Sequence, residues 1–255
     1  MLLSFLGGFE AIPGHQLNQF YNHPFIMKNI KTTILSLLLM ALVVSGVQAH
    51  ALWIHTASKA ELGKAHEFTI YYADYNEKAI EKVDDWYSDV SDFELYAVSP
   101  SGKRSKLSYE KGKENAKGSF IPEEEGVYRL EIGHSSKTEP GETVYQFNAV
   151  AYVHAGKATG AAGFELAPDL VLAPQAGGYQ VLLSGAPLAD SEVGILCPDG
   201  KSVVLKTDSK GFFASDLRAS GTYFIEATTY KELPKNDPSG MKAIWRCATQ
   251  VVVVE

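Results

Sequence analysis

The chain is expected to be all-β: two tandem immunoglobulin-like, Greek-key β-sandwiches behind a cleaved signal peptide. Three observations predict this. Apolar residues fall on alternate positions in run after run. Turn formers cut the alternation into short segments. A turn–strand–strand pattern then occurs twice in the same order.

Taken in order, residues 1–26 show no targeting logic and read as an over-extended start. Met27 to Ala49 reads as a secretory signal peptide, with Lys28 and Lys31 ahead of the apolar stretch Ile34 to Val44 and a small-residue cleavage site at Val47-Gln48-Ala49. That stretch is too short for a comfortable membrane span. Residues 50–155 are the first sandwich, carried by alternating runs such as Phe68-Thr69-Ile70-Tyr71-Tyr72, Phe93-Glu94-Leu95-Tyr96-Ala97 and Tyr145-Gln146-Phe147-Asn148-Ala149. The Gly/Ala-rich residues 156–163 read as a flexible linker, and 164–255 as the second sandwich. Glu77 to Tyr87 alone carries a faintly helical spacing.

The repeat links the two halves. Pro100-Ser101-Gly102-Lys103 precedes Gly118-Ser119-Phe120 and Gly126-Val127-Tyr128; Pro198-Asp199-Gly200-Lys201 precedes Gly211-Phe212-Phe213 and Gly221-Thr222-Tyr223. Sandwiches of this kind place a tyrosine at such a corner, where its hydroxyl ties back to the backbone.

Composition narrows the function. The chain has 255 residues, a formal net charge of −7 and a sequence pI near 5.5. It has no basic surplus for phosphate contacts, which argues against nucleic-acid binding. Two cysteines cannot build a four-thiolate zinc site, although Cys197 and Cys247 could pair in an oxidising compartment. No nucleophile elbow, phosphate loop, dinucleotide fingerprint or zinc-protease helix is present. The expectation is a non-enzymatic protein.

The most specific chemical feature is positional. Cleavage after Ala49 leaves His50 with a free α-amine and an imidazole, which together can close a chelate ring on one ion. Nitrogen donors of this kind suit Cu(II), Ni(II) and Co(II) better than Mg or Ca. If residues 50–56 form a strand, His50 points with Leu52 and Ile54, while His55 points with Trp53. His134 follows Tyr128, Leu130 and Ile132 on one strand face. The candidate metal ligands are therefore His50 and His134, with His55 as an outer alternative. The acidic run from Asp74 to Glu94 offers carboxylates, although such runs are usually solvated faces.

Ala49-His50-Ala51-Leu52-Trp53 after a signal peptide, Gly126-Val127-Tyr128-Arg129-Leu130 before His134, and Thr207-Asp208-Ser209-Lys210-Gly211-Phe212 in the second half together resemble an exported domain-of-unknown-function family described as nickel-uptake-transporter related (NikM-like). The second half also resembles the carboxypeptidase-regulatory-like sandwich. The resemblance implies metal handling outside the cytoplasm and a membrane metal importer as partner. Unlike the transporter subunits proper, the chain has histidine first rather than second, as in copper-binding periplasmic proteins of the CopC type. The expected function is thus a monomeric, periplasmic nickel, cobalt or copper binder accessory to uptake. A non-catalytic protein- or glycan-interaction module of the cell envelope is the alternative. A copper oxidase built on the same histidine is a more distant reading, since no axial tyrosine is evident.

Overall fold

The structure, a computed structural model, describes residues 50–75, 79–157 and 168–254. The expected leader and most of the expected linker lie outside the described residues. The first half contributes β1 (Ala51–Thr56), β2 (Lys59–Ala60), β3 (His66–Asp74), β4 (Ala79–Ile80), β5 (Leu95–Val98), β6 (Arg104–Leu107), β7 (Glu110–Lys111), β8 (Ala116–Phe120), β9 (Gly126–Ser135) and β10 (Thr143–Ala155). The second contributes β11 (Leu170–Gln175), β12 (Gly178–Leu183), β13 (Ala186–Pro187), β14 (Glu192–Leu196), β15 (Ser202–Lys206), β16 (Phe212–Ala214), β17 (Gly221–Glu232) and β18 (Ala243–Val254).

The fold is all-β, as the alternation predicts. The helical spacing at Glu77–Tyr87 does not become an α-helix: β4 and a single 3-10 turn (Val83–Asp85) occupy its described part. A second 3-10 turn follows at Val90–Asp92. The apolar residues of this acidic run, Val83, Trp86, Val90 and Phe93, are buried and pin it to the core.

The strands form three sheets. A five-stranded sheet runs β1-β3-β8-β7, with β4 added to β3; a nine-stranded sheet runs β15-β14-β17-β18-β10-β9-β5-β6, with β2 added to β10; a four-stranded sheet runs β11-β12-β13, with β16 on β12. The nine-stranded sheet passes from one half of the sequence to the other through β10 and β18, which pair in parallel with Phe147 opposite Cys247. A parallel pair needs a long crossover, and here the intervening strands of the second half supply it.

Each smaller sheet packs on part of the large one. Leu52, Ile54, Phe68, Ile70 and Tyr72 meet Leu130, Ile132, Phe147 and Ala149 in one core. Leu170, Leu172 and Val181 meet Val193, Ile225 and Ala248 in another. The opposite face of β1 is also covered, since Ala51 and Trp53 pack with Phe224, Cys247 and Val251. Strand β1 is therefore buried on both sides, so its first residues are tied into the protein.

The repeat is visible in three dimensions. The Tyr128 hydroxyl accepts from the backbone N–H groups of Glu123 and Glu124 (3.0 and 2.8 Å), and the Tyr223 hydroxyl accepts from Ala219 N–H (3.1 Å). Gly126 and Gly221 share φ values of 133° and 132°, and each lies against a proline, Pro100 and Pro198 respectively. The pairing of Cys197 with Cys247 is not formed. Neither forms a disulfide: Cys197 opens the turn after strand β14, while Cys247 lies buried in central strand β18.

Candidate metal centre

His50 immediately precedes β1. Its Nε2 lies 2.6 Å from Glu81 Oε1, and its ring stacks on Tyr72 at a centroid distance of 5.6 Å. The strand register explains the arrangement. Ala73 pairs with Ala51 on one side and with Ile80 on the other, so the chain carrying Glu81 runs beside β3 at the level of Tyr72. Tyr72 is buried, and burial pushes its phenol above the ordinary range; the Glu81 charge adds to the effect, followed by Tyr87, Cys247 and Tyr145. A tyrosine thus stands beside His50, which the sequence pattern did not reveal.

Asp74, the last residue of β3, is buried and pairs with Ala79 of β4. Strand alternation puts His50, Leu52, Tyr72 and Asp74 on the face turned toward the large sheet.

His134 stands on the facing sheet. Its Nε2 is 3.2 Å from Asp89 Oδ1, and Asp89 also accepts the Lys137 backbone N–H at 2.9 Å. Burial opposes the Asp89 charge, yet the Lys137 N–H and the His134 imidazole hold its carboxyl below the usual value. Phe147 lies opposite His134 in the β9–β10 register and meets Tyr72 edge-on at 5.4 Å. His50 and His134 therefore flank the same aromatic contact from two sheets, each held by its own carboxylate. His55 is exposed and lies on the opposite face of β1 from His50.

The acidic run thus divides. Asp84 and Asp85 face solvent, while Glu81 and Asp89 turn toward the two imidazoles. The buried anchors Val83, Trp86 and Val90 were the available sign, because they fix which carboxylates can turn inward. Among the described residues, no three His, Cys, Asp or Glu side chains converge as they would around one metal ion.

Two further features lie close by. Tyr145, Trp245 and Tyr230 occupy one register line across β10, β18 and β17, and Tyr87 meets Tyr145 edge-on at 5.4 Å. Further along the same two strands Glu226 is hydrogen-bonded to Cys247; burial, the largest influence, raises the Glu226 carboxyl to about 7. Burial likewise pushes the Cys247 thiol well up. Neither feature was legible in the sequence, because each depends on pairing between distant strands.

None of the described helices is long and apolar enough to cross a membrane. No family model matches the chain, and no curated protein matches it. Among solved structures it is similar, at 11% identity and a TM-score of 0.28, to a crystal structure of Salmonella alpha-2-macroglobulin reacted with methylamine. The match covers 80% of this chain and 15% of that one.

Proposed function

We propose that the chain is exported to the periplasm, begins at His50 after processing, and binds nickel, cobalt or copper as a non-catalytic accessory to a membrane metal importer. The observation that carries this reading is the contact between His50 Nε2 and Glu81. A carboxylate on the far ring nitrogen fixes the tautomer, raises the basicity of the ring and leaves Nδ1 for an ion. Nδ1 is the nitrogen nearer the main chain, so it can share a chelate ring with the freed α-amine. His50 thus donates twice from one residue. His134 is the next imidazole in this reading, and His55, on the outer face, is the weaker partner. The resemblance to nickel-uptake-related proteins favours the same class of cargo.

The test is a calorimetric titration of the exported protein with Cu(II), Ni(II) and Co(II), after intact mass has established the first residue. Dissociation constants tighter than about 10 μM are expected, and adding one alanine before His50 should weaken them at least tenfold. A first residue other than His50, or equal affinity in the extended protein, overturns the reading. The row Tyr145–Trp245–Tyr230, with Tyr87 and Tyr230 exposed, favours the second reading of a glycan- or protein-interaction module. That reading gains if no ion binds.

A further inference from the structure

We propose that the row Tyr145–Trp245–Tyr230 is a binding site for a neutral, extended β-1,4-linked glucan chain, laid across three strands with its pyranose rings on the aromatic side chains. The inference rests on the interaction-module reading, which it deepens, and is independent of any ion at His50. Its basis is the pairing of β10, β18 and β17. Tyr145 lies opposite Trp245, and Trp245 opposite Tyr230, so the three side chains leave one face of the large sheet. Tyr145 and Tyr230 are exposed (36% and 56%), and Tyr87, also exposed, closes one end by meeting Tyr145 edge-on. Among the described residues, every exposed tyrosine, tryptophan or phenylalanine belongs to this strip. Apolar side chains scattered singly over a surface are ordinary, whereas rings gathered in one place mark a binding surface.

The rest of the strip selects the ligand. Neighbouring strands stand about 4.8 Å apart, and the Tyr145 and Trp245 ring centroids are 5.8 Å apart. The rings of an extended β-1,4 chain advance by a comparable step, and their axial C–H bonds give each a flat apolar face that stacks on an aromatic ring. An α-1,4 chain coils and cannot follow a straight row of this kind. Two residues along the strands, on the same face, stand Thr143 and Glu232; two the other way, β17 carries Thr228. Hydroxyls and a carboxylate thus flank the rings, where equatorial sugar hydroxyls can bond to them. None of these flanking side chains is an amide that would pair with an acetamido group, so the match is to a glucan rather than an N-acetylhexosamine chain. Glu232 in the strip and the formal net charge of −7 repel an acidic polysaccharide. The Tyr145 and Trp245 rings are tilted by 55°, so the row follows the twist of the sheet and suits a single soluble chain better than a flat crystalline face.

The experiment titrates the exported protein with cellopentaose, followed by calorimetry and by the NMR signals of the tryptophan indoles. Trp53 and Trp86 are buried, so a shift confined to the Trp245 N–H locates the ligand without any variant. A dissociation constant of about 1 mM or tighter is expected, and Tyr230→Ala, at an exposed position, should weaken it about tenfold. Crystalline cellulose should not compete. If maltopentaose or chitopentaose moves the Trp245 signal and cellopentaose does not, the inference is overturned and the interaction-module reading stands. If cellopentaose binds while Trp245 stays still and Tyr230→Ala has no effect, the row is not the site. If no saccharide binds, the glycan form of that reading falls with the inference.

Discussion

Glu81 Oε1 lies 2.6 Å from His50 Nε2, so the carboxylate holds the imidazole by the nitrogen farther from the main chain. The geometry ranks substitutions at Glu81. Glutamine keeps an oxygen that can accept from Nε2–H but loses the charge, whereas alanine loses both. Outer partners of a ligating histidine are commonly worth 10–100-fold in metal affinity. Copper or nickel affinity should therefore fall in the order wild type, Glu81→Gln, Glu81→Ala, spanning about tenfold or more. Calorimetric titration checks this. Equal affinities in all three would show that Glu81 does not orient the ring.

The two corner tyrosines should differ in their contribution to stability. Tyr128 accepts two backbone N–H groups and Tyr223 accepts one. Removing an acceptor leaves a donor with only water or nothing, at about 1–3 kcal/mol for a buried group. Tyr128→Phe should cost about 2 kcal/mol and Tyr223→Phe about 1 kcal/mol, read by urea denaturation.

These corners also show what the sequence carries and what it does not. Gly126 before Tyr128 and Gly221 before Tyr223 are local signals, since a positive φ beside a proline demands glycine wherever the turn occurs. The alternation in Tyr145-Gln146-Phe147 is equally local and places Phe147 inside. Whether β10 ends a sandwich or continues into β18 is a pairing across about a hundred residues, and nothing in either strand specifies it. The same limit explains the candidate site. Histidine at position 50 can be seen from the leader, but its neighbours Tyr72 and Glu81 follow from the register of β1, β3 and β4.

Arg129 and Glu131 form a fully buried pair at 2.6 Å, and Glu131 also takes Arg104 at 2.8 Å. Breaking such a pair strands a charge away from water and costs about 3–5 kcal/mol, whereas replacing both partners with apolar residues is often close to neutral. Glu131→Leu should therefore destabilise strongly. Adding Arg129→Leu should recover much of the loss, with Arg104 still able to reach water. Denaturant melts of the single and double variants check this.

Glu226 should set part of the pH dependence of stability. Burial raises its carboxyl from the usual 4.5 to about 7, against the favourable hydrogen bond with Cys247, and the Asp74 charge raises it further. The folded protein therefore holds a proton on Glu226 that the unfolded chain releases at lower pH. Its contribution is fully present below about 4.5 and is lost as pH rises through about 7, by roughly 3 kcal/mol. His66 acts in the opposite sense. Burial lowers its pKa, against the hydrogen bond to the Ala57 carbonyl, so its contribution is present above 6.5 and lost as pH falls. The two effects partly cancel in wild-type protein, and the difference between wild type and Glu226→Gln isolates one of them. The variant should gain stability relative to wild type as pH rises from 5 to 8. Melting temperatures across that range test the sign, and a constant difference would show that Glu226 does not titrate there.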